Sequence, residues 1–218
     1  SMSAFGTGNL WSDTRAYGST LEQGAGVPSF AGFSGTQPTM YHLAYGDPIG
    51  GLFGCAALLT ALHERRHSGL GQYVNLSMVE AMLQFTTPAL LERQLTGAEP
   101  PRRGNRHASI APHGFYPVAG EDQWIAVSAD DHCAFARLAR IIGRPDWADD
   151  PAFGTLEARA QRHDEIDAAI ATWSGPRNRD EAAGLLQAAG IAAAPLHHAQ
   201  ELFANGHLEK SDFYIDLV

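Results

Sequence analysis

The chain has 218 residues, 44% of them hydrophobic and 18% charged, which is enough to bury one good-sized core or two small ones. Lysine and arginine number 15 against 24 aspartates and glutamates, a formal charge of -9. No basic stripe interrupts this balance, so nucleic acid and an anionic membrane surface are not expected partners. No run of about 18 apolar residues is present to cross a bilayer, and Ser1-Met2-Ser3-Ala4-Phe5-Gly6 lacks the pattern of a secretory leader. Cys55 and Cys133 are too few for a disulfide framework and read as buried free thiols in apolar stretches. A cytoplasmic protein is expected.

Residues 1–46 are rich in Gly, Ser and Thr, with turns at residues 5–9 and 24–28 and a short helix over 20–23. From Pro48 to Leu62 the chain is apolar on nearly every helical face, which predicts a buried helix over 48–66. Asp47 before Pro48 reads as its N-cap, with proline at the first helical position. Gly69 and Gly71 mark the turn that follows. Residues 73–76 read as a strand. Ser77-Met78-Val79-Glu80 has the form of a capping box and opens a helix expected to be disturbed at Pro88, to resume over 89–95 and to end at Gly97. The linker at 99–104 divides the chain into parts spanning 1–100 and 101–218.

The second part reads as a compact α/β unit. Residues 114–118 and 123–127 form a hairpin around 119–122. Helices follow over about 130–142, 163–174 and 179–189, the first closed by Gly143 and the last by Gly190, with Asn178 as an N-cap. A short strand over 191–195, a short helix near 198–204 and a strand over 213–218 complete the pattern. The long opening loop and an unpaired closing strand are expected of a piece cut from a larger protein.

His63-Glu64-Arg65-Arg66-His67 matches H-E-x-x-H, in which histidines four apart share a helix face and can hold zinc with the glutamate as general base. Against zinc, two arginines sit inside the motif, no clear third-ligand motif follows although the spacing leaves Glu80 and Glu92 open as a third ligand, and cationic residues at a helix C-terminus simply complement its dipole. Gly6-x-Gly8 lacks the third glycine and the preceding strand of a dinucleotide site. Ser34 is not in a nucleophile elbow, and His107, His113, His197 and His198 read as surface or hydrogen-bonded residues. Asp47 carries more. Gly46, Gly50 and Gly51 surround it, and small residues let a ligand approach. The helix N-terminus favours its ionised form, and such a carboxylate is suited to attack an activated acyl group. Capping and nucleophilicity would compete for the same lone pairs.

Three segments in this order resemble the family III CoA-transferases: Tyr45-Gly46-Asp47-Pro48-Ile49-Gly50-Gly51-Leu52, Ala61-Leu62-His63-Glu64-Arg65 and Ser68-Gly69-Leu70-Gly71-Gln72-Tyr73-Val74-Asn75-Leu76-Ser77. The loop Gly104-Asn105-Arg106-His107, with the strand after Pro112, is similar to the family's GN-x-H loop. Residues 143–146, 149–153 and 190–195 fit its small domain. The resemblance implies a helix-rich α/β fold, with a catalytic-loop and linker-helix segment followed by the small α/β domain. It also implies a piece that lacks the family's N-terminal Rossmann-like part. It implies that Asp47 attacks an acyl-CoA thioester, and that Gly104, Asn105, Arg106 and His107 serve the acyl or CoA site. CoA and a carboxylic acid are then the substrates, with no metal, no tightly bound cofactor and a homodimer in the full-length form. A 2-methylacyl-CoA racemase-like enzyme and a non-catalytic assembly fragment are the alternatives. The acidic balance places most CoA phosphate contacts outside this chain, the cluster of Arg102, Arg103, Arg106 and His107 excepted.

Overall fold

A computed structural model describes residues 1–41, 43–211 and 213–215. The chain forms two compact units, Ser1–Gly104 and Asn105–Val218.

The first unit holds β1 (Met2–Ser3), α1 (Gly18–Gly24), α2 (Gly46–Ser68), β2 (Leu76–Ser77) and α3 (Met78–Thr96). β1 and β2 pair in parallel, Met2 opposite Leu76. Of the strand expected over 73–76 only Leu76 enters the ladder, which is extended by the Ser1 amine donating to the Val74 carbonyl at 2.8 Å. Leu21 on α1, Ala25 at its C-cap and Met82 on α3 form a small core, against which Ile49 and Met78 pack. Ser77 caps α3, its Oγ accepting from the Glu80 N–H at 3.4 Å. Gly97, at φ 73°, closes it. Pro88 does not break this helix. Proline inside a helix costs about 3 kcal/mol, and tertiary packing offsets that cost: Met82 and Thr86 are buried on one face. The Thr86 and Thr87 hydroxyls both donate to the Leu83 carbonyl, at 3.1 and 2.9 Å.

The buried helix expected over 48–66 is instead largely exposed. In α2 only Gly46 and Gly50 are buried, while Leu52 is 67% and Leu59 61% exposed. Contacts reach mainly the small-residue face of its N-terminal half, where Gly50 lies against Met78 and Gly54 against Met2. An all-round apolar pattern reports that a helix needs cover, not that the same unit supplies it. For the same reason Cys55, expected to be buried, is an exposed free thiol, as is Cys133 in the second unit.

The second unit holds β3 (His113–Pro117), β4 (Trp124–Ser128), α4 (His132–Ile141), α5 (Leu156–Gln161), α6 (His163–Ser174), α7 (Arg179–Ala188), β5 (Ala192–Pro195), α8 (Ala199–Leu202) and α9 (Gly206–Lys210). The hairpin β3–β4 pairs Phe115 with Ala126, and β5 joins antiparallel with Ala194 opposite Ala126. Successive strand residues face opposite sides. Tyr116, Ile125 and Val127 therefore enter a core with Phe135, Leu138, Ile166, Ile170 and Leu186. Trp147 stacks on Phe153 with ring centroids 4.6 Å apart, and Phe153 lies 5.7 Å from Phe135. The Asn178 cap is present, its Oδ1 accepting from the Asp180 and Glu181 N–H groups at 2.9 and 3.4 Å. α5 was not read from the sequence, although Thr155 caps it by accepting from the Ala158 N–H at 3.1 Å. Of the strand expected over 213–218, residues 213–215 adopt no strand, and residues 216–218 lie outside the described residues.

Candidate active site

Asp47 does not cap α2. The helix begins one residue earlier, at Gly46, and its N-cap is Tyr45, which makes no side-chain cap hydrogen bond. The chain enters through Ala44 at φ 49°, a left-handed conformation uncommon outside glycine. The Asp47 N–H then donates to the Ala44 carbonyl at 3.0 Å. Asp47 stands exposed in the first turn, where the helix dipole favours an anion. Among the described residues the Asp47 carboxylate accepts no hydrogen bond from the start of α2, and the Tyr45 N–H finds its acceptor elsewhere. Glu22 on α1 is fully buried, and its Oε1 accepts the Tyr45 N–H at 2.7 Å.

Two glycines make room for this arrangement. A Cβ on Gly18 would lie 2.6 Å from the Ala44 carbonyl oxygen and 2.7 Å from Asp47 Oδ2. A Cβ on Gly46 would lie 2.6 Å from Leu21 Cβ. The Asp47 carboxylate therefore rests over bare backbone at the start of α1. A cavity of about 460 Å³ is lined by Val27, Phe30, Tyr45, Ile49, Met82 and Phe85 among others. It belongs to a different face of α2, since Tyr45 and Ile49 are one turn apart and Asp47 lies two residues from each.

Gly104 closes the first unit. Its N–H donates to the Gly32 carbonyl at 2.9 Å, so that donor is occupied. At φ 59° it passes under Phe33, and a Cβ there would meet the ring at 2.5 Å. Nearby arginines are also engaged: Arg102 donates to the carbonyls of Ser29 and Thr36 at 3.2 and 2.6 Å, and Arg103 reaches Glu92 at 3.5 Å.

In the second unit Asn105 is exposed in a turn. Arg106 pairs with Asp164, and with Asp167 Oδ2 at 2.7 Å. Partial burial opposes its charge, but the hydrogen bonds to Asp164 and Asp167 outweigh this and raise its pKa. Asp167 Oδ1 also accepts from the Tyr116 hydroxyl at 2.7 Å; burial, followed by the Asp167 charge, pushes that phenol up. Buried His163 lies 3.9 Å from Asp167 Oδ1, and burial holds its pKa down despite that carboxylate. The Arg106 guanidinium is thus already committed to carboxylates. His107 accepts from the Ser109 N–H at 3.2 Å through Nδ1. Its ring is 5.5 Å from that of His113, which contacts Ser128 Oγ at 3.2 Å.

The H-E-x-x-H segment occupies the end of α2. The His63 and His67 rings lie 4.6 Å apart, and His67 Nδ1 sits 3.0 Å from the His63 carbonyl, which ties that nitrogen to the backbone. Among the described residues no group of three or more His, Cys, Asp or Glu could hold a metal ion. Sequence reasoning missed Glu22 and Gly18. Both lie on a separate helix, Glu22 against the Tyr45 amide and Gly18 beneath the Asp47 carboxylate, and no local spacing marks them.

Residues 1–217 match the CoA-transferase family III, and the chain belongs to that family. It is 32% identical over 206 residues to the succinyl-CoA–D-citramalate CoA-transferase of Chloroflexus aurantiacus, covering 94% of this chain and 51% of that protein. It is 30% identical to a probable CoA-transferase of Mycobacterium tuberculosis, covering 99% of this chain and 28% of that protein. The crystal structure of a CAIB/BAIF family protein from Brucella suis shares the fold, with a TM-score of 0.85 at 23% identity over 98% of this chain and 56% of that one. The chain thus spans about half the length, or less, of the curated relatives it matches.

Proposed function

We propose that this chain carries the nucleophile of a CoA-transferase that moves CoA from an acyl-CoA to a carboxylic acid. The observation that carries the reading is the Asp47 carboxylate, exposed in the first turn of α2 and relieved of capping. An Asp47 oxygen attacks the thioester carbonyl. The C–S bond breaks, its electron pair leaves as CoA thiolate, and a mixed anhydride remains. The thiolate then attacks the aspartyl carbonyl, releasing the donor's acid and leaving an aspartyl–CoA thioester. The acceptor carboxylate runs the same two steps in reverse, so each difficult exchange becomes two easier ones. In this reading the loop Gly104-Asn105-Arg106-His107 serves the acyl or CoA part of the substrate. With the Gly104 N–H occupied and the three arginines paired internally, Arg102, Arg103 and Arg106 shape the loop rather than grip CoA phosphates.

The full-length form is a homodimer in this proposal. The exposed apolar length of α2 supports it, since contiguous apolar surface of that kind marks an interface. Free Cys55 and Cys133 fit a reducing, cytoplasmic setting. Several relatives are named for succinyl-CoA, which makes it the first donor to assay. Asp47→Asn in the active enzyme should abolish CoA exchange between succinyl-CoA and a carboxylate; retained exchange would remove Asp47 from the mechanism.

A further inference from the structure

We infer that Glu22 is a positioning residue for Asp47, acting as a transplanted cap for α2; this rests on the proposed nucleophilic role of Asp47. Three observations meet here. Glu22 has no solvent exposure, although burying a carboxyl group is costly unless it is hydrogen-bonded. Its Oε1 takes the Tyr45 N–H at 2.7 Å, while its Oε2 is buried with no partner among the described residues. The N-cap side chain of α2 makes no cap bond.

Helix N-termini expose N–H groups that need acceptors, and the residue best placed by type to provide one is Asp47 itself. Were Asp47 to fold back on those groups, its lone pairs would be engaged and the carboxylate withdrawn. Glu22 supplies an acceptor two residues before Asp47, from a different helix. It also pins Tyr45, the residue that follows the left-handed Ala44. The side chain thus keeps Asp47 outside the cap and fixes the turn that aims it. Glu22 touches neither substrate nor reacting atoms; it acts through the Tyr45 amide.

The test uses catalytically active protein and three substitutions: Glu22→Ala, Glu22→Asp and Glu22→Gln. Glutamine keeps an oxygen in reach of the Tyr45 N–H, aspartate retracts it by one methylene, and alanine removes it. The readouts are thermal melting, KM for succinyl-CoA, kcat, and the rate at which hydroxylamine traps the acylated Asp47. Misplacement by about 1 Å costs on the order of 100-fold. E22A and E22D should therefore lose about 10- to 100-fold in kcat and trapping rate, with KM nearly unchanged, and E22Q should recover to within about threefold of the parent. If E22A does not fold, the E22D and E22Q pair decides. Folded E22A or E22D at parental rates, a rise in KM alone, or E22Q no faster than E22D would each overturn the inference. Asp47→Asn separates the two ideas. Turnover retained there overturns the nucleophile, whereas turnover lost there with parental E22A and E22D overturns only the role of Glu22.

Discussion

Gly18→Ala puts the account of the Asp47 turn under direct strain. The added Cβ would sit 2.6 Å from the Ala44 carbonyl oxygen, 2.7 Å from the Ala44 Cβ and 2.7 Å from Asp47 Oδ2. Ordinary contacts begin near 3.4 Å, and two of the three obstacles are too close to the backbone to swing aside. The turn must therefore retreat by about 0.8 Å, and overpacking of this kind costs about 1–3 kcal/mol. Alanine is the better helix former by about 0.8–1.0 kcal/mol, so net destabilisation should be small, about 0–2 kcal/mol. The catalytic effect should be larger than the structural one. A displacement approaching 1 Å at a nucleophile costs on the order of 10- to 100-fold in kcat. Steady-state kinetics with succinyl-CoA and thermal melting on the same preparation read both quantities. A Gly18→Ala protein that melts as the parent does and turns over within threefold of it would refute the claim that bare backbone beneath Asp47 is required.

Three further outcomes follow from the second unit. Phe153→Ala should destabilise it by about 3–5 kcal/mol, read by denaturant unfolding, because the ring stacks between Trp147 and Phe135 in the core. Glu201 is held down to about 2, first by its hydrogen bonds from Arg179 and then by the His198 backbone N–H. Its contribution is complete above pH 4.5 and should be lost as pH falls from 4.5 towards 2, seen as faster amide exchange in α8; Arg179→Ala should shrink that acid transition to the part set by the His198 N–H. His113 is lowered below 6.5 by burial and then by the His107 charge. The unfolded chain takes up that proton first, so folded stability drops as pH falls below 6.5. An NMR titration should place the His113 midpoint under 6.5, and His107→Ala should move it upward.

The architecture of the second unit was legible because its signals are local. The hairpin announces itself by alternation on either side of residues 119–122, and Asn178 caps the helix that its own sequence predicts. α5 escaped because it has only six residues and its single cap, Thr155, is followed by little periodic pattern. In the first unit the decisive contacts are remote. Asp47 was legible as the residue of interest from its glycine-rich setting, but the cap comes from Glu22, 23 positions before Tyr45. The exposure of Leu52 and Leu59 was illegible for a different reason. Hydrophobic pattern records a need for burial, and which surface meets it is not encoded in the helix itself. Arg102, Arg103 and Arg106 looked like an anion cluster because sequence shows charge without its partners, and each proves to donate to carbonyls or carboxylates nearby.

The central claim is that Asp47 becomes acylated. Active protein incubated with succinyl-CoA and quenched with hydroxylamine, then digested and sequenced by mass spectrometry, reads that event at a single residue. The account predicts a hydroxamate on Asp47 that depends on the acyl-CoA and disappears in Asp47→Asn. Undiminished CoA transfer with Asp47 unmodified, or with the adduct on another carboxylate, would contradict it.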